Sequence, residues 1–136
     1  MLGLALLAAA TSGVAPGCDS PIDHVTERAC AVSQLNRVNA QMDFQFHRVL
    51  RHLQQDIRRA KVEGREGEWP QPGDHYVSAL VASQRAWTLA RSQFCEAEQF
   101  TVVDGNSHVE VRADCETRFA RQRIADLKSL YSEISE

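Results

Sequence analysis

The chain has 136 residues, 43% of them apolar and 24% charged, which fits one globular domain. Its formal net charge is −3. That balance excludes the basic footprint of a nucleic-acid-binding domain and offers no polybasic excess for anionic lipid.

Residues 1–17, MLGLALLAAATSGVAPG, carry no charged side chain. The apolar run Leu2–Ala10 has the length of an export-signal core and is too short to span a bilayer, which takes ~20 residues. It lacks the usual basic n-region. Small residues at Ala15 and Gly17 offer cleavage sites. Residues 1–17 therefore read as a signal peptide, and residues 18–136 as a periplasmic or secreted domain with no integral membrane span.

Cleavage after Gly17 would make Cys18 the first mature residue, as in a lipoprotein. The preceding Ala15-Pro16-Gly17 lacks the leucine that a lipidation signal carries three positions before its cysteine. Parity also favours a disulfide. Four cysteines can all pair in an oxidising compartment, whereas lipidating Cys18 would leave an orphan thiol. A lipid anchor at Cys18 is the weaker alternative.

In the mature chain, Ser20 before Pro21, with Asp23 following, predicts a short first helix over about 21–29. Beyond Val32, apolar residues recur at Leu35, Val38, Met42, Phe46, Val49, Leu53, Ile57 and Ala60. Those steps of three and four predict one long helix, ended by Gly64, Gly67 and WPQPG. Phe44 falls off the stripe and is expected to meet a second neighbour. A third helix is predicted over about 74–98, with Tyr76, Leu80, Trp87 and Phe94 roughly on one side and Val77, Val81 and Leu89 widening the apolar face. TVVDGNSHVEV breaks the pattern as a loop, with a small valine hairpin as the alternative. The last helix, about 112–134, carries Cys115, Phe119, Ile124, Leu127, Leu130 and Ile134. The expected fold is all-α: a small disulfide-stapled bundle of three main helices and one short N-terminal helix.

Four cysteines allow three pairings. Cys95 falls late in the third helix and Cys115 early in the fourth, so antiparallel packing brings them together. Cys18 and Cys30 remain. Spanning a nine-residue helix of ~12 Å leaves a Cα separation of ~5.5 Å only if the N-terminal segment folds back along it. A zinc site is disfavoured. The cysteines form no C-x-x-C pair, and His47 and His52 do not share a helix face.

Three stretches resemble the bacterial lysozyme inhibitor LprI-like N-terminal domain family. The first is CDSPIDHVTERAC, whose Glu27 stands three residues before Cys30, where the family places its glutamate four before. The second is LVASQRAWTLARSQFC, with Ser83, Gln84, Trp87, Arg91 and Cys95 in the family's order. The third is CETRFARQRIADL, carrying Arg123, with Ala120 and Ile124 where the family often has threonine. The resemblance spans about residues 18–131, although 36–75 match only in helical character. It implies inhibition of a lysozyme-type protein partner, and it places no inhibitory residues on this chain. A cell-envelope binding or structural protein with a different partner is the alternative.

Gln84, Trp87, Arg91 and Cys95 share a helix face. They read better as structure than as a binding strip: Trp87 in the core, and Arg91 paired with an acid or capping carbonyls. Arg118, Arg121 and Arg123 read as a solvated face rather than an anion site. EAEQFTVVDGNSHVEV, tethered by Cys95 and Cys115, is the best candidate for a partner-binding loop, with Glu96, Glu98, Asp104 and Glu110 giving a negative bias and Asn106 among its candidate contact residues. No nucleophile motif, phosphate loop or metal motif is present, so the chain reads as a non-enzyme without cofactor.

Overall fold

The computed structural model describes residues 17–65, 74–102 and 107–135. The expected signal peptide, save Gly17, lies outside them, as do Asp104 and Asn106. Three helices carry the fold: α1 His24–Val62, α2 Asp74–Gln99 and α3 His108–Ile134.

The expected short first helix is not separate. It is the opening of α1, which runs unbroken for 39 residues. No glycine or proline falls between His24 and Val62, so nothing interrupts the hydrogen-bond ladder at Cys30–Val32. The start also moves. Asp23, not Ser20, is the N-cap, its carboxylate accepting the Thr26 N–H at 2.7 Å. The end follows the glycine signal. Gly64 adopts φ +67°, its N–H reaches Lys61 O, and the Arg65 N–H reaches Ala60 O at 2.9 Å. These two bonds form a Schellman closure.

The hairpin alternative fails at its second strand, because Val109 and Val111 lie inside α3, which begins four residues earlier than expected. Only the stretch from Phe100 to Ser107 separates α2 from α3.

The bundle runs up, down, up. Arg28 meets Glu110 and His52 meets Ile134, each pair 82 residues apart in sequence, so α1 and α3 are parallel and in constant register. Asn39–Arg91 and Met42–Gln84 bonds set α2 antiparallel to α1. α3 packs most extensively on α1. Since His52 is already level with the end of α3, residues 53–62 carry α1 about 15 Å further, at ~1.5 Å per residue.

The α1 stripe points inward as its period requires. Met42 and Val49 join Leu80 and Leu127 in a buried centre, with Phe46, Leu53, Trp87, Ile124 and Tyr131 packed around it. α2 contributes less than expected. Leu80 is buried, but Leu89 and Phe94 are mostly exposed, and Phe94 only leans on Phe119 at 5.4 Å between ring centroids. Phe44 has no second helix to meet and is 58% exposed.

Candidate functional site

The residues singled out by the second and third motifs form a polar seam across the three helices. The Arg123 guanidinium donates from Nε to Gln84 Oε1 at 3.0 Å and from Nη2 to Ser83 Oγ at 2.8 Å. The Gln84 amide in turn donates to Met42 Sδ at 3.0 Å. Two helical turns along α2 from Gln84, Arg91 lies 4.7 Å over the Trp87 ring and donates to Asn39 Oδ1 at 2.8 Å. The expected acidic partner of Arg91 is thus an asparagine on α1, and its Nε is buried without a hydrogen-bond partner. The bonds from Arg123 to Gln84 and Ser83, from Gln84 to Met42 and from Arg91 to Asn39 all cross between helices. The seam fixes register, and it leaves Trp87 half-buried against the core rather than presented outward.

Both disulfides staple one end of the bundle. Cys95–Cys115 ties the end of α2 to the start of α3 with Cα atoms 5.6 Å apart, and both residues are fully buried. Cys18–Cys30, at 5.5 Å, folds the N-terminal segment back along α1, so the sulfur of Cys18 is engaged in a disulfide. Pairing therefore follows the geometric expectation for all four cysteines. Among the described residues, no group of His, Cys, Asp or Glu could hold a metal ion.

The acidic residues expected on a loop at this end stand on helices instead. Glu96 and Glu98 lie in the last turn of α2. Glu98 grips Arg118 bidentately at 2.8 and 3.2 Å, which holds the Arg118 guanidinium above its ordinary pKa. Glu110 lies in the first turn of α3, where a carboxylate favours the helix N-terminus. It is buried, 3.4 Å from Arg28, with Oε2 unpartnered. His108 closes the other side, its Nδ1 3.1 Å from Gln99 O. Of the three clustered arginines, Arg118 and Arg123 are therefore spoken for, and Arg121 stays in solvent.

Around this stapled end lie exposed apolar side chains: Ile22, Val25, Val32, Phe100 and Val109. A shallow groove lined by Val32, Leu35, Gln99, His108 and Val109 runs between α1 and α3. Through Val32 it continues along α1 past Val25 and Ala29. Exposed carboxylates stand about it: Asp19, Asp23, Glu27, Glu96 and Asp114. Apolar patch and charged rim together have the make-up of a protein-binding surface. Arg112, Ala113 and Glu116 complete the lining of the first groove.

The family described as lysozyme inhibitor LprI matches residues 18–127. The chain belongs to the LprI family. No curated protein and no solved structure matches it significantly. The LprI match encloses both disulfides and every residue of the polar seam. LprI proteins are an inhibitor family rather than an enzyme family, and a lysozyme is the partner the family implies. Together, the family and the two disulfides point to an extracytoplasmic protein. No helix among the described residues is long and apolar enough to cross a membrane.

Sequence periodicity missed two things here. The Arg123–Gln84 bond joins residues 39 apart, and the Arg28–Glu110 pair joins residues 82 apart. Neither spacing carries a local signal. Only the shared arginine–glutamine motif pointed toward the first.

Proposed function

We propose that this LprI-family chain is exported behind its first 17 residues and binds a lysozyme-type muramidase, inhibiting it by occlusion rather than by chemistry. The family match over residues 18–127 carries the reading. The contact surface is the stapled end. Lysozymes are cationic and work through two carboxylates in a cleft. The carboxylates of Asp19, Glu27, Glu96 and Asp114 favour encounter with such an enzyme. The exposed Ile22, Val25 and Phe100 supply apolar area to bury on contact. The Cys95–Cys115 bridge ties α2 to α3 at the same end, which holds the surface in one shape before contact.

Lipidation of Cys18 is not part of this proposal, because its sulfur is joined to Cys30. The test is a panel of purified lysozymes. The oxidised protein should co-elute with at least one of them and slow its lysis of a peptidoglycan suspension in proportion to dose. Failure to retain any lysozyme, with lysis unchanged, would overturn the reading.

A further inference from the structure

The outward face of α1 is chemically unlike the rest of the molecule. Met42, Val49 and Leu53 turn toward the bundle, and Ala60 continues the same azimuth. Two residues on from each stands the solvent line: Phe44, Arg51, Gln55 and Val62. All four are exposed, Phe44 by 58% and Val62 by 88%. His47, Arg58 and Lys61 flank this line and are also exposed. Arg51, Arg58 and Lys61 make no salt bridge among the described residues.

Asp56 sits between His52 and Arg59 on another flank, and Glu63 is engaged with Arg65. Asp43, about five turns before Lys61, is the one carboxylate on that flank of the strip. A chain with a net charge of −3 thus carries a cationic strip with an apolar residue at each end. From Phe44 to Val62 the strip is about 27 Å long at ~1.5 Å per residue. Composition alone hid it, because the net charge sums these cations with carboxylates spread along the whole chain.

We infer that this face of α1 lies against an anionic phospholipid surface, with Arg51, Arg58 and Lys61 at the headgroups and Phe44 and Val62 dipping below them. Three features carry the inference. The charge is complementary, and each basic side chain held near an anionic leaflet strengthens binding several-fold. The strip lies on one unbroken helix, packed on the bundle as far as Leu53, so little order is lost on docking. Its apolar ends need a phase that accepts hydrocarbon, which a lipid interface supplies and a polyanionic sugar chain does not. The proposal is independent of lysozyme inhibition, and the two surfaces occupy different parts of the molecule.

Co-sedimentation of the full oxidised chain with phosphatidylglycerol vesicles, against phosphatidylcholine vesicles, tests it. The apolar residues 2–10 can associate with either lipid. The readout is therefore the preference for anionic over neutral vesicles, and its dependence on the strip. The wild type should prefer phosphatidylglycerol at low salt and lose that preference as salt is raised. Arg51→Gln with Arg58→Gln should weaken phosphatidylglycerol binding by about thirty-fold. Phe44→Ser with Val62→Ser should weaken it further at high salt than at low. Circular dichroism of the variants should match the wild type, since all four side chains face solvent. Equal binding to both vesicle types would overturn the inference. So would an unchanged preference in the arginine variant, or strip-dependent binding to insoluble peptidoglycan without binding to vesicles.

Discussion

Removing the two disulfides separately should cost different amounts. In the chain-entropy account, a bridge closing a 20-residue separation restricts the unfolded chain by about 3.3 kcal/mol, and one closing 12 residues by about 2.8. Burial then separates them. Cys95 and Cys115 are both 0% exposed, whereas Cys18 and Cys30 are only half-buried on the bundle's margin. Replacing Cys95 and Cys115 by alanine also empties two sulfur-sized volumes, at roughly 1 kcal/mol each. The predicted loss for that double variant is about 5 kcal/mol, against about 3 kcal/mol for Cys18→Ala with Cys30→Ala. The first is a large share of the ~5–15 kcal/mol that a domain of this kind has in total. Urea unfolding followed by far-UV circular dichroism reads both. Equal losses, or a larger loss at Cys18–Cys30, would refute the view that the α2–α3 bridge is a core element and the N-terminal bridge a marginal one.

Other consequences follow from the same packing. Leu127 is 1% exposed at the meeting of the three helices, so Leu127→Ala should cost about 2–5 kcal/mol in the same unfolding experiment. Arg123→Met should cost about 1–2 kcal/mol by stranding the Gln84 amide oxygen. Arg123→Lys should not restore it, because one ammonium does not reproduce the fork that reaches Gln84 and Ser83 together. The hydrogen bond from the Thr26 N–H holds the Asp23 carboxyl below its ordinary value of 3.8. A lowered carboxylate stabilises the fold above that value, and the contribution is lost as pH falls through the folded pKa. Protection of the amides at the start of α1, taken relative to their intrinsic exchange rates, should therefore fall below about pH 3.8, and Asp23→Asn should flatten that acid dependence while keeping the cap.

Much of this architecture was legible from the residues because the signals are local. The inward stripe of α1 follows from steps of three and four. The limits of α2, Asp74–Gln99, nearly coincide with the expected 74–98 because Pro72-Gly73 precedes the helix and the break at Thr101-Val102 follows it. The disulfide pairing followed from the length of a helix and the reach of an extended chain. What failed also has local causes. Ser20-Pro21 is a good start signal, but Asp23 offers an equally good cap three residues later, and the fold-back needed by Cys18–Cys30 keeps residues 18–22 out of the helix. DGNSHVEV combines turn and β-branched residues, yet Ser107 and Glu110 can open a helix that the packing on α1 then stabilises.

The candidate surface was less legible than the fold. Its carboxylates were visible in the sequence, but only the structure distinguishes Glu96, which stands in solvent, from Glu98 and Glu110, which are held by arginines on other segments. The exposed apolar set spans three segments, from Ile22 to Val109. Periodicity within any one helix cannot assemble it.

The occlusion claim is tested most directly with a soluble substrate, which removes any contribution from the protein coating peptidoglycan. Initial rates of a susceptible lysozyme on a short soluble oligosaccharide should show KM rising with the concentration of the oxidised protein while kcat stays constant. Replacing Val25 and Phe100 by aspartate should abolish that rise. Inhibition confined to insoluble peptidoglycan, with soluble-substrate kinetics untouched, would contradict the account.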